Sequence, residues 1–315
     1  MRITRREAIG ALAAAHLYAK ASQPSTAVSF KVPPGACDCH THIFADRAKF
    51  PFIAGRTYTP EQSLPEEMAA MHRALHVERV VIVTPSVYGT DNSATLYGMK
   101  TRGKTARGVA VIGEQTTEQE LDSMAQAGMR GIRINLATAG PTDPATARTR
   151  LRAAFDRVKN RDWHVQVYTT LPVIAALKDL IRDAPVPVVI DHFGGAQAAL
   201  GVNQPGFADL VELVRTGKAY VKISAAYRSS SNVPEYRDVA PFAQALIAAN
   251  TNRALWGTDW PHPDTTTPRG GTAMDVSTML QIDDGRMLNQ LAVWAPDAAV
   301  RKKILVDNPT RLYGF

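Results

Sequence analysis

Eight short runs of β-forming apolar residues punctuate residues 36–258, and stretches with helical spacing lie between them. The runs are Ala36–His42, Arg79–Thr84, Gly108–Ile112, Gly131–Leu136, His164–Tyr168, Val186–Asp191, Tyr220–Ser224 and Ala254–Thr258. The helical stretches include Pro65–Leu75, Glu118–Ala127, Ala145–Val158, Leu171–Arg182, Phe207–Thr216 and Val239–Asn250. Strands this apolar are buried on both faces, as happens when helices cover a parallel sheet. An eightfold β-then-α alternation closes on itself as a (β/α)8 barrel. A doubly wound open sheet is the competing α/β arrangement, but no G-x-G-x-x-G turn or phosphate-binding loop follows the first run. No Ser/Pro/Gly-rich linker divides the 315 residues, so a single barrel domain is expected over 36–315.

The 45% apolar content is enough for such a core. The formal net charge of +7 falls to +4 when the first 21 residues, with Arg2, Arg5, Arg6 and Lys20 against Glu7, are set aside. The remaining basic residues are scattered among Asp and Glu, so no nucleic acid is expected as a partner, and a small anion is. Cys37 and Cys39 are too close in an extended segment for an easy disulfide. Thr4-Arg5-Arg6-Glu7-Ala8-Ile9-Gly10, a short Ala/Leu-rich stretch and Ala19-Lys20-Ala21 resemble a twin-arginine export signal over 1–21, followed by an N-terminal arm over 22–35. The expectation is cleavage near Ala21 and a periplasmic protein; the competing reading is an amphipathic N-terminal helix on a cytoplasmic one. The stretch is about a dozen residues, short of the roughly 20 a membrane span needs, so no membrane contact beyond the export machinery is expected.

Active sites of such barrels form at the C-terminal ends of the strands. The first run ends Asp38-Cys39-His40-Thr41-His42, where the period of two sends His40 and His42 to one side. The sixth ends Asp191-His192, and the eighth ends Trp256-Gly257-Thr258-Asp259-Trp260-Pro261-His262. Taken singly, a strand-end His is usually a hydrogen-bonded structural residue, and an Asp after Gly-Thr caps a turn. Together, His40, His42, His192 and Asp259 converge on one barrel mouth from three distant strands, which points to catalysis. His72 and His76, four apart on a helix without an H-E-x-x-H frame, are expected to be surface or half-buried structural residues, and His164 to open a strand at the opposite end. Arg133 ends an apolar strand with no acidic residue nearby in sequence, so it is expected to meet an anionic ligand.

The chain resembles the amidohydrolase superfamily, and within it the branch of 2-pyrone-4,6-dicarboxylate hydrolases. The resemblance rests on Pro33-Pro34-Gly35, the D-x-H-x-H of the first strand, Phe50-Pro51-Phe52, Gly89-Thr90-Asp91-Asn92, Gly128-Met129-Arg130-Gly131-Ile132-Arg133, Ile190-Asp191-His192, Trp256 through Pro263 and Asn308 through Tyr313. It implies a distorted TIM barrel that opens a lactone ring by hydrolysis. It also implies that Asp259 is the general base, that His40, His42 and His192 hold the carbonyl, and that Tyr58, Ser86, Arg133, Tyr168, Arg228 and His262 bind substrate. After the fourth strand the family has a second arginine where Ala139 stands, and Gly195 stands where the family often has another. The departure favours a muconolactone-type or sulfonated lactone over the flat pyrone dicarboxylate, unless Lys222 or Lys104 restores the charge.

Ester hydrolysis needs a base for water, donors for the developing oxyanion and a proton for the leaving oxygen. Asp259 suits the first and last tasks, and the imidazoles suit the second. Arg133 and Arg228 can form bidentate pairs with a carboxylate; the alternative for both is a salt bridge within the barrel. The branch includes hydrolases that work without divalent metal, and a site with no cofactor is expected. If an ion is present, it is one Zn²⁺ on His40, His42, His192 and Asp259, because Tyr168 rather than His ends the fifth strand and no Lys or Glu ends the fourth. The competing activities are a lactone isomerase of the galactarolactone type, a decarboxylase, and a non-catalytic periplasmic binding protein. Self-association into a homo-oligomer is compatible with the sequence.

Overall fold

The computed structural model describes residues 21–140, 142–267 and 269–315. Eight strands form one all-parallel sheet in sequential order: β1 Cys37–Thr41, β2 Arg79–Val83, β3 Ala106–Ala110, β4 Met129–Asn135, β5 His164–Tyr168, β6 Val188–Ile190, β7 Ala219–Ser224 and β8 Ala254–Gly257. Just past β8 the barrel closes onto β1: His42 N donates to Trp260 O at 2.8 Å, and Asp259 N to His40 O at 2.9 Å. The seam therefore runs through the residues expected to do the chemistry. The barrel is distorted, since β6 is three residues long and the β1–β2 register slips between Asp38 and Thr41.

Alternate strand residues divide into two apolar sets, as the period of two demands. Val81, Val83, Val109, Val189 and Leu255 belong to a small cluster with Tyr313, inside the barrel. Val80, Ile82, Val165, Val167, Val221 and Ile223 belong to a larger one with the surrounding helices. The helices begin where side chains satisfy their free N–H groups. Thr117 and Glu120 form a capping box on the helix Glu118–Gln126, and Asp143 caps Pro144–Val158 ahead of its first-position proline. The expected helix 171–182 is two, Leu171–Ala176 and Lys178–Arg182. Leu177 leaves helical geometry between them (φ −104°, ψ 5°), with its side chain buried. A further helix, Ser93–Arg102, lies between β2 and β3.

The expected export signal lies outside the described residues apart from Ala21, which is buried. Residues 22–35 carry no helix or strand and pack along the barrel. Ser25 and Thr26 hydroxyls donate to Asp283, which also caps the helix Asp284–Trp294, and Trp260 Nε1 donates to Ser22 O at 3.2 Å. Among the described residues, no helix is long and apolar enough to cross a membrane.

Candidate active site

Asp38 clasps the seam beneath the barrel mouth. Its carboxylate accepts from His40 N, Thr258 N, Thr258 Oγ1 and His72 Nε2. Gly257 lets these strands meet: a Cβ there would stand 2.9 Å from His40 N. His72, expected at the surface or half-buried, is fully buried: Arg102 donates to its Nδ1 at 2.9 Å, so its Nε2–H faces Asp38. Its partners lie more than 25 residues away in either direction, which the i, i+4 spacing could not reveal.

Above the clasp, Asp259 and His192 both take left-handed backbone conformations (φ 67° and 46°), unfavourable for side chains with a Cβ and found where structure around a site imposes them. The result is a tight constellation. Asp259 Oδ1 faces His42 Nε2 at 3.4 Å and the Nε2 atoms of His40 and His192 at 3.6 Å each. Its other oxygen accepts from Arg228 Nε at 2.7 Å and Tyr227 OH at 2.6 Å. Burial alone would raise the Asp259 carboxyl, but Arg228 and the imidazoles outweigh it and hold it well below the usual carboxylate range. Burial pushes His192 down to about 4. His40 also lies well below its ordinary value, through burial and the neighbouring Lys222 ammonium.

Hydrogen bonds on the far side of each ring set what its Nε2 presents. His42 Nδ1 donates to Val83 O at 2.7 Å, so with a neutral ring its Nε2 is a bare acceptor. His40 Nδ1 faces both Lys222 Nζ at 3.2 Å and Asp191 Oδ1 at 3.3 Å; when Lys222 donates, the proton of a neutral His40 is on Nε2. His192 Nδ1 pairs with Ser224 Oγ at 2.8 Å.

Below the imidazoles lies a charged layer that the strand pattern conceals. Lys222, fully buried in β7, also donates to Gln166 Oε1 at 2.7 Å and stands 3.4 Å from Asp191 Oδ1. Asp191 Oδ2 accepts from Gln166 Nε2 at 3.0 Å and Arg133 Nε at 3.3 Å. Burial opposes the charge on Asp191, but Lys222, His40 and Arg133 hold its carboxyl well below the usual range. Arg133 thus has a protein anion after all, 58 residues away, and the expectation that only a ligand could pair it is corrected. Its guanidinium also lies over the Tyr168 ring, 5.2 Å from the centroid, and borders the pocket.

The pocket is lined by His42, Tyr58, Ser86, Arg133, Tyr168, His192, Arg228 and Asp259, with Pro85, Thr138, Pro263 and Thr265 completing the wall. His40 sits just beneath it. His262 does not line it: fully buried, with a left-handed backbone (φ 62°), it pairs Nε2 with Asp284 Oδ2 at 3.1 Å and anchors the segment after Asp259 to the helix that follows. Neither lysine considered as a replacement cation reaches the pocket wall, since Lys222 is inside the barrel and Lys104 precedes β3 at the opposite end. Gly195 is backed by the Thr169 carbonyl, 2.9 Å from where a Cβ would stand.

A tetrahedral ion with bonds of roughly 2.0–2.2 Å sets its ligand atoms about 3.3–3.5 Å apart. The Asp259 Oδ1 distances to His42 Nε2 (3.4 Å) and His40 Nε2 (3.6 Å) are close to that spacing, and the bare Nε2 of His42 suits a ligand, so His40, His42 and Asp259 fit one zinc ion, with His40 binding as the tautomer whose Nδ1–H faces Asp191 Oδ1 at 3.3 Å; His192 falls outside this grouping. A second grouping, His40, Asp191 and His192, does not fit another, because Lys222 and Arg133 already neutralise Asp191.

With this geometry in hand, the comparisons are decisive about kinship. Residues 37–315 match the amidohydrolase family model. The chain belongs to the amidohydrolase family. It is 37% identical to a 4-sulfomuconolactone hydrolase of Rhizobium radiobacter, over 92% of this chain and 93% of the relative. It is 33% identical to a 2-pyrone-4,6-dicarboxylate hydrolase of Comamonas testosteroni, over 94% of each. Among solved structures, an apo Agrobacterium tumefaciens protein superposes with a TM-score of 0.75 at 27% identity, over 93% of this chain and 98% of that one. For this amidohydrolase, Asp38, His72, Asp191, Lys222 and Tyr227 are supporting residues that motif reading did not assign. Lys222 had a signal, a lone charge in the apolar strand Tyr220-Val221-Lys222-Ile223-Ser224.

Proposed function

We propose that this amidohydrolase hydrolyses a lactone bearing at least one acidic group, of the muconolactone type such as 4-sulfomuconolactone. The observation that carries the reading is one carboxylate oxygen, Asp259 Oδ1, ringed by three imidazole Nε2 atoms in a pocket that also presents Arg133. The identity to lactone hydrolases over nearly the whole chain supports it.

In this mechanism Asp259 Oδ1 and the bare Nε2 of His42 accept the protons of a water, aiming its oxygen at the lactone carbonyl carbon. His40 Nε2–H donates to the carbonyl oxygen as it gains charge. The Asp259 carboxylate takes one proton from the water as the C–O bond forms. It returns that proton to the ring oxygen as the ring C–O bond breaks, leaving a new carboxylic acid that ionises. Arg228 and Tyr227 hold the other Asp259 oxygen, fixing the carboxylate for both steps. Arg133 is the group for the substrate's acid, using the part of its guanidinium not turned to Asp191. Were one Zn²⁺ bound, His40, His42 and Asp259 would hold it and it would supply Lewis-acid polarisation of the carbonyl.

The test is a pH-stat assay with 4-sulfomuconolactone, muconolactone and 2-pyrone-4,6-dicarboxylate. Hydrolysis releases one proton per ring opened. Turnover with no proton release indicates isomerisation, carbon dioxide release indicates decarboxylation, and binding without turnover would remove the enzymatic reading.

A further inference from the structure

The catalytic pocket holds only about 20 Å³, roughly the room of a single water. Any lactone with its carbonyl beside Asp259 must therefore have most of its body elsewhere. A cleft of about 240 Å³ adjoins the pocket and shares Ser86 and Thr138 with it as a common wall. Its other side is formed by the turn at Gly55 to Thr57, the segment following β4, and Arg150 from the helix Pro144–Val158.

The charge of this cleft is one-sided. Arg56 and Arg150 line it, and no Asp or Glu does. Arg56 is held in place by Thr59 Oγ1 at 2.6 Å and Ile53 O at 2.9 Å, neither of them charged. Arg150 is exposed and has no ion-pair partner among the described residues. Other surface clefts are lined by charges of both signs that pair, Lys178 with Glu212 in one and Arg161 with Glu118 and Asp122 in another. Two cations with no carboxylate, beside hydroxyls from Ser86, Thr138 and Thr142, form a receptor for an anion. Ala139, where the family resemblance places an arginine after the fourth strand, lies in the wall of this cleft, and the cations there come instead from the helix and from the 55–57 turn.

We propose that this cleft is a second anion subsite, in which Arg150, assisted by Arg56, binds a sulfonate or carboxylate on the lactone other than the one that meets Arg133. The inference rests on the lactonase reading for the identity of the ligand, but not for the existence of the subsite. It makes the natural substrate a dianionic lactone whose two acids point in different directions from the ring.

Muconolactone and 4-sulfomuconolactone are a matched pair, since the second carries an added sulfonate. Binding of each is measured by isothermal titration calorimetry on the Asp259→Asn background, so that neither turns over, and again with Arg150→Gln or Arg150→Lys added. The expected result is a tenfold or greater preference for the sulfonated lactone, reduced to threefold or less by Arg150→Gln and largely kept by Arg150→Lys. Arg150→Gln weakening both ligands equally, or weakening neither, would overturn the subsite. If the unmodified enzyme hydrolyses no lactone while the binding pattern holds, the lactonase reading fails and the subsite stands.

Discussion

Replacing Asp191 by Asn tests whether the buried layer under the site is a charge balance. Asp191 lies between two cations, Lys222 Nζ at 3.4 Å from one oxygen and Arg133 Nε at 3.3 Å from the other, all within the barrel. Asn keeps the shape and a hydrogen bond to Gln166, so the loss is almost wholly the charge. Leaving buried charges without their partner costs about 3–5 kcal/mol. At roughly 2–4 °C per kcal/mol for a domain of this order of size, the melting temperature should fall by about 6–20 °C. Lys222→Met removes one of the cations and leaves Arg133 and Asp191 as a balanced pair. Its cost is therefore smaller, about 1–3 kcal/mol for the acceptors on Gln166 and His40 left unpaired. The double variant should be less damaged than the sum of the two single variants by about 1 kcal/mol or more, because contacting charges couple. Calorimetric unfolding at pH 7 of the four proteins measures all three numbers. Asp191→Asn within about 0.5 kcal/mol of the parent, or strict additivity in the double variant, would refute the charge-balance argument.

Arg133→Met should raise KM for an acidic lactone by about tenfold or more, equivalent to roughly 1–3 kcal/mol for a lost charged contact, and raise it little for a neutral lactone; steady-state kinetics with both checks it. His164, buried at the β5 start beside Gly131, where a Cβ would stand 2.4 Å from its ring, is held down to about 3. The unfolded chain therefore binds a proton near pH 6.5 that the folded chain refuses. This contribution to stability is complete above about pH 6.5 and is lost as pH falls towards 3, by roughly 2 kcal/mol at pH 5. Melting temperatures at pH 7.5 and 5 should diverge less in His164→Leu than in the parent, and equal slopes would contradict the assignment. Zinc added to chelator-treated protein should saturate at no more than one ion per chain, because Lys222 and Arg133 already neutralise the second grouping; two tight ions by metal analysis would contradict that.

The barrel was legible because its parallel strands must be apolar on both faces, and the observed strand bounds differ from the sequence reading by a few residues. The convergence of His40, His42, His192 and Asp259 was legible for the same reason, since the fold dictates where strand ends go. What escaped is pairing across the barrel. His72 looked like a surface residue because Asp38 and Arg102 reach it only in three dimensions, and Arg133 looked unpaired because Asp191 is a distant strand's residue. His262 lies three residues beyond Asp259, close enough in sequence to be read as a pocket residue. The left-handed backbone at both positions is absent from any periodicity, and His262 instead pairs with Asp284. The cleft with Arg56 and Arg150 combines segments almost 100 residues apart, and neither arginine sits in a motif.

The central claim is that Asp259 moves the proton in lactone opening. Asn at this position can still accept from Arg228 and Tyr227 and can donate to the bare Nε2 of His42, so the pocket keeps its shape. The deciding measurement is kcat of Asp259→Asn on 4-sulfomuconolactone, followed by proton release at constant pH, with binding of the same lactone measured beside it. The account predicts a loss of about 10²–10⁴ in kcat with affinity within a few-fold of the parent. A variant that turns the lactone over at near the parent rate would contradict it.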